Sequence, residues 1–224
     1  MQLFFALFLL LQEESAEETF AKIEETFQKA KTAEWDVAVH LVQKKGQDEL
    51  RRKEGSCLIL LKEGNKVNVL LQESKDGQKG KTTSIVSDGK TSLATSGSKR
   101  IQKSETHALL CTNVSTLWLR HGSMSEIWTK TPLAEDDFRK TLQITNCKAG
   151  GSDGGARTLS YTFQVKIFTI NAKLWYSPSD FKPVKRQMDF KDPTGSEWTV
   201  TEEFKKCVFG EDIPDDRFKL PNDE

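Results

Sequence analysis

His40, His107 and His121 are the residues best suited to acid–base or metal chemistry, and they stand far apart in the chain. His107 and Cys111 are four residues apart, a spacing that places two ligands on one helix face. A metal centre needs three or four ligands, and no further cluster accompanies this pair, so solvated or capping histidines are the better reading. Three acid pairs, Asp136-Asp137, Glu202-Glu203 and Asp215-Asp216, also invite attention. Neighbours on a strand point to opposite faces, so Glu202 and Glu203 cannot work as one acid/base unit. The Ser and Lys of "SDGK", Ser87 and Lys90, flank Asp88-Gly89, which is turn chemistry. A nucleophile elbow, a phosphate-binding loop and a dinucleotide fingerprint are all missing from the sequence. The residues therefore predict a protein that is not an enzyme, with no cofactor and no metal.

The bulk properties narrow the partners. Lys+Arg and Asp+Glu balance at 33 each and are interleaved, so no basic stripe marks a nucleic-acid partner. Thirteen Phe and five Trp supply the bulky side chains that a disordered chain lacks. Cys57, Cys111, Cys147 and Cys207 are widely spaced, with no CxxC. In an exported chain they could form two disulfides, in any of three pairings; as buried thiols they would simply be core residues.

Apolar surface is what the chain offers instead. "VKRQMDFKDPTGSEWTVTEEF", Val184 to Phe204, folds as a hairpin about Pro193-Thr194-Gly195. Asp192 then faces Ser196. On one face Phe190 meets Trp198, Met188 meets Val200 and Val184 meets Phe204; on the other, Lys191 meets Glu197, Asp189 Thr199, Gln187 Thr201 and Lys185 Glu203. Only Arg186 opposite Glu202 puts charge on the apolar side, where the two are expected to pair.

Elements must hold this hairpin in place. Leu3–Leu11 is an uninterrupted apolar run, suited to a secretion signal and too short to cross a bilayer. Cleavage after Ala16 would leave residues 17–224 as one domain; a misassigned start codon or a buried helix end are the alternatives. Phe20, Ile23, Phe27 and Ala30 recur at helical spacing, with acids early and lysines late. From Trp35 to about Lys103 short strands alternate with tight turns, as an antiparallel meander requires, and "TSLATSGSKRIQK" reads as one weaker, more polar strand of it. Leu110, Val114, Leu117, Trp118 and His121 return to helical spacing, with Gly122 as a stop, and "AEDDFRKTL" suggests a second short helix. "CKAGGSDGGAR" reads as a flexible hairpin connection. In "YTFQVKIFTINAKLWY" the apolar phase slips between Ile167 and Phe168, which predicts a bulge that bends one strand.

The expected fold class is α+β: a single curved antiparallel sheet, an unclosed barrel, with an N-terminal helix and mid-chain helices forming a lid over the concave face. Val67, Val69, Phe163, Val165, Met188, Phe190, Trp198 and Val200 would line that face, with Leu110, Val114, Leu117 and Trp118 on the lid. Such a face is either an ordinary sealed core or a pocket for an apolar ligand.

Three stretches resemble the LolA-like superfamily of periplasmic lipoprotein carriers. They are "IVSDGKTSLATSGSKRIQK", "KLWYSPSDFKPVKRQMDFKDPTGSEWTVTEEF" and "IPDDRFKLP", and their order along the chain agrees with the family over most of residues 17–221. The resemblance implies an open barrel, a hydrophobic cavity that shields the acyl chains of a lipoprotein or another lipid, and a monomer exported to the periplasm. It also implies an inner-membrane lipoprotein-releasing transporter and an outer-membrane acceptor as partners. The chain departs from the family at Asn68, where the carriers commonly place an arginine that latches the lid. A lipid-sensing or protein-interaction scaffold of the same fold is the alternative.

Overall fold

The computed structural model describes residues 14–63, 66–75, 78–97, 99–104, 144–165 and 168–221. The expected mid-chain helices, with Leu110, Val114, Leu117 and Trp118, lie outside the described residues, as does the His107–Cys111 pair.

Helix α1, Ala16–Gln28, opens on a capping box. Ser15 Oγ accepts from the Glu18 amide at 3.1 Å, and Glu18 Oε2 accepts from the Ser15 amide at 2.9 Å. The Ser15 amide, and then the Ser15 hydroxyl, hold the Glu18 carboxyl below its ordinary range. Cleavage after Ala16 would fall inside the box and remove the cap. Of the predicted apolar stripe, Phe20 and Ile23 are buried, with Ala16, in the same core as the inner face of the sheet, while Ala30 lies beyond the helix and is half-buried.

Eleven antiparallel strands among the described residues form one open sheet. Strands β1 (Thr32–Lys45), β2 (Asp48–Lys62), β3 (Lys66–Lys75), β4 (Gln78–Asp88), β5 (Ser92–Ser96) and β6 (Lys99–Ser104) make a first meander. A second comprises β7 (Ile144–Asp153), β8 (Ala156–Val165), β9 (Phe168–Tyr176), β10 (Pro183–Lys191) and β11 (Glu197–Phe209). The last strand pairs with the first, so β1 and β11 sit at the centre of the order β6-β5-β4-β3-β2-β1-β11-β10-β9-β8-β7.

The Val184–Phe204 hairpin keeps the register its pattern dictates, from Lys185 opposite Glu203 to Lys191 opposite Glu197. Its turn closes with the Asp192 amide donating to the Ser196 carbonyl at 2.9 Å. Gly195 takes φ +81°, where a side chain would be strained.

Four expectations are corrected. Val184 does not face inward: the β9–β10 ladder slips between Pro183 and Lys185, so Pro183 is buried and Val184 is 46% exposed. The phase slip at Ile167/Phe168 is not a bulge in one strand. Val165 pairs with Phe168, so the chain reverses there and β8 and β9 are two strands. Most of "CKAGGSDGGAR" is not loop but the irregular strand β7, with its turn at Gly154-Gly155. "TSLATSGSKRIQK" likewise makes two strands, with Gly97 between them at φ +60°.

Candidate functional site: the inner face of the sheet

The β10–β11 hairpin positions the centre of this face. Its inner rungs are Phe190/Trp198, Met188/Val200 and Arg186/Glu202. On the β1 side, Leu41 lies opposite Val200 and Val39 opposite Glu202. On the β9 side, Ala172 lies opposite Met188 and Leu174 opposite Arg186. The charged rung is thus enclosed by Val39 and Leu174, both in the core.

Arg186 Nε donates to Glu202 Oε2 at 2.7 Å, with side chains 0% and 2% exposed. This is a fully buried, charge-assisted pair, in the geometry that the cross-strand pattern demands. The thiol of Cys57 lies within reach of the same field. Burial pushes it well above the ordinary thiol range, and the charges of Glu202 and Asp36 push the same way. Burial likewise raises the Cys207 thiol to about 12. Cys57 and Cys207 are thiols, which removes the two-disulfide alternative.

Of the sequence-predicted wall, Val67, Val69, Phe163, Met188 and Val200 are buried together in one core cluster. Val165 occupies the β8 position opposite Phe168. Phe190 and Trp198 are only half-buried and pack against that cluster as an aromatic ladder at the rim of the face. Phe168 meets Phe190 edge-on, centroids 5.6 Å apart, and Phe190 lies parallel to Trp198 at 6.1 Å. Offset and edge-on rings in contact add stabilisation beyond their buried area.

The turn fixes this rim. Asp192 Oδ2 accepts from the Trp198 indole at 2.9 Å, while Oδ1 accepts from the Thr194 hydroxyl and from the Thr194 and Ser196 amides. The Thr194 hydroxyl, with the Trp198 indole next, holds the Asp192 carboxyl down to about 2. Phe168, Val39 and Leu41 belong to the face but were not among the sequence-predicted residues. The signal for Phe168 was present in the parity swap along "YTFQVKIFTINAKLWY".

Asn68 lies on the opposite side. Val67 and Val69 point into the core, so Asn68 between them points outward, where its Nδ2 donates to the Arg217 carbonyl at 2.7 Å. Around it the C-terminal segment folds over β2 and β3. Ile213 and Phe218, the latter in a single 3-10 turn, Asp215–Phe218, pack on Leu60. Lys62 and Lys66 each bond Asp215 at 2.9 Å. Asn68 therefore latches the C-terminal segment rather than anything on the inner face.

The arrangement defines an open antiparallel sheet with a helix packed in the core of its inner face. No family model matches the chain, and no curated protein matches it in sequence. Among solved structures, a DUF1329 family protein from Desulfovibrio piger is similar at 10% identity and a TM-score of 0.39, over 92% of this chain and 98% of that one. The LolA superfamily protein NE2245 from Nitrosomonas europaea is similar at 11% identity and 0.36, with the same coverages. MucB, solved in complex with MucA, is similar at 8% identity and 0.34, over 92% of this chain and 60% of that one. At such TM-scores these neighbours carry no argument of their own, and the architecture rests on the strand pairing.

Proposed function

We propose that this protein is a non-catalytic periplasmic carrier that shelters the acyl chains of lipoproteins against the inner face of its sheet. One observation carries the reading: the apolar face ends in a half-buried aromatic rim, Phe168–Phe190–Trp198, held rigid by Asp192. Rings in that position suit an apolar chain, and each methylene taken from water contributes about 0.8 kcal/mol without directional contacts. On the hairpin's inner rungs the two charges, Arg186 and Glu202, neutralise each other and leave the wall effectively apolar. In this reading a membrane transporter loads the carrier and an outer-membrane acceptor unloads it, through an opening equilibrium that any handover requires.

The test is a titration of delipidated protein with a fluorescent fatty acid, read by quenching of tryptophan emission. Saturable quenching is expected, weakened in Trp198→Phe and in Phe190→Ala. Protein that takes up no probe and purifies without lipid is not a carrier. A second reading, a sensor or scaffold with a filled core, is favoured by the depth of burial of Val67, Val69, Phe163 and Val200, none more than 1% exposed. It predicts no probe uptake, and partners recognised on the polar outer face.

A further inference from the structure

On the outer face, opposite the aromatic rim and the ion pair, an open groove of 540 Å³ crosses β7, β8, β9 and β10. Register sets its chemistry. Lys148 on β7 lies opposite Ser160 on β8, and Ser160 lies opposite Lys173 on β9. Two lysines thus flank one serine in a row across three strands, each strand about 5 Å from the next. Neither Lys148 nor Lys173 has an ion-pair partner among the described residues, which sets them apart from the paired lysines at 53, 62, 66, 191 and 205.

Lys173 is held from one side. Its Nζ lies 4.7 Å from the centroid of the Trp175 ring, and Lys185 approaches the same ring at 4.9 Å. The indole is anchored in turn by Asp153 Oδ2 at 2.9 Å. Lys185 thus shares the Trp175 ring with Lys173 outside the groove's lining, and the Asp153 carboxylate meets the same indole. Asn171 adds a donor, because its Oδ1 already accepts from the Thr162 hydroxyl at 3.1 Å, leaving the amide nitrogen to point elsewhere.

The groove also contains one carboxylate, Asp189, and its oxygens are engaged. Oδ1 accepts from the Thr199 hydroxyl at 2.6 Å and Oδ2 from the Gln187 amide at 2.8 Å. Asp189 on β10 lies opposite Asn171 on β9, while Lys148, Ser160 and Lys173 form a neighbouring row of donors from β7 to β9. Ammonium, hydroxyl and amide donors converging on one space match a tetrahedral oxyanion with several acceptor oxygens.

We propose that this outer groove is a binding site for a phosphoryl oxyanion, with Lys148, Ser160 and Lys173 as its contacts. The inference stands apart from the acyl-chain reading, since it concerns the other face of the sheet. Two sources share the chemistry, a free phosphoester and a phospholipid headgroup at a bilayer surface.

The full chain is titrated with glycerol phosphate, followed by amide shifts of Ser160 and Asn171, and in parallel is sedimented with phosphatidylglycerol vesicles and with neutral phosphatidylcholine vesicles. Saturable shifts would assign a free phosphoester; binding to the anionic vesicles alone would assign a headgroup. In either case Lys148→Gln with Lys173→Gln should weaken binding roughly tenfold. Lys45→Gln, at the turn between β1 and β2, should leave it unchanged. Both groove lysines are exposed, and salt-dependent weakening in the unaltered protein gives a readout that needs no variant to fold. Absence of binding in both arms, or binding indifferent to salt and to the double substitution, overturns the proposal.

Discussion

The Arg186–Glu202 pair and the Lys62–Asp215–Lys66 cluster put the same charges on opposite faces of one sheet, in opposite environments. The first is sealed, at 0% and 2% exposure, between Val39 and Leu174. The second ties the C-terminal segment to β2 and β3 through an aspartate that is 63% exposed. What differs is not the bond, 2.7 Å against 2.9 Å, but the water around it. A buried charge that loses its partner has nothing to replace it, whereas an exposed one is resolvated at once. The inner pair should thus govern whether the sheet folds, and the outer cluster only where its last residues lie.

The largest effect tests the inner pair. Glu202→Gln leaves the Arg186 guanidinium buried against a neutral amide and should cost about 3–5 kcal/mol in urea unfolding. Replacing both members with apolar residues, Arg186→Met with Glu202→Leu, should recover most of that loss, because desolvation disappears together with the attraction. Unchanged stability in the single variant would mean that water reaches the pair.

This pair was legible in the sequence because a period-2 pattern on two strands joined by a short turn leaves one register that buries the apolar set. Seven rungs, Lys185/Glu203 to Lys191/Glu197, follow from that rule alone. The reading failed at Val184, where the slip beside Pro183 cannot be seen from the β11 side. It failed again at Ile167/Phe168. There the turn lacks Gly, Asn and Pro, so the reversal was visible only as a parity swap, which a bulge also produces. The outer latch was hidden for a different reason. Asn68 and Arg217 are brought together by the reversal at Gly210, φ +77°, and no periodicity connects residues so distant in the chain.

Breaking the outer face should have graded consequences. Phe218→Ala removes a ring that is 1% exposed and packed on Leu60, and should cost about 3 kcal/mol, the low end for such a truncation because the cluster is small. Asn68→Ala removes one hydrogen bond to a backbone carbonyl and should cost about 1 kcal/mol. Both should expose the C-terminal segment to limited proteolysis while leaving the near-ultraviolet signal of the inner aromatics intact. If that signal collapses as well, the two faces are coupled and the contrast between them is weaker than their burial implies.

The smallest effect separates two acids that look alike on titration. Asp215 and Asp192 are each held down to about 2, from an ordinary value of 3.8. Each is depressed in the folded state, so each contributes stability that is complete above about 4 and lost as pH falls through about 2. Their causes differ. Asp215 is held first by the ammonium of Lys62 and then by that of Lys66, while Asp192 is held by neutral donors, the Thr194 hydroxyl and the Trp198 indole. Mobile ions screen the attraction between exposed charges and act little on short neutral-donor bonds. Carboxyl titrations followed by NMR should therefore show the Asp215 midpoint rising as salt is added and the Asp192 midpoint staying in place. Trp198 emission should follow the Asp192 titration, because protonation of that carboxyl weakens the bond that orients the indole. Should salt move both midpoints equally, Asp192 is answering to the charges around the hairpin, and the aromatic rim is held less firmly than the bond from the Trp198 indole to Asp192 indicates.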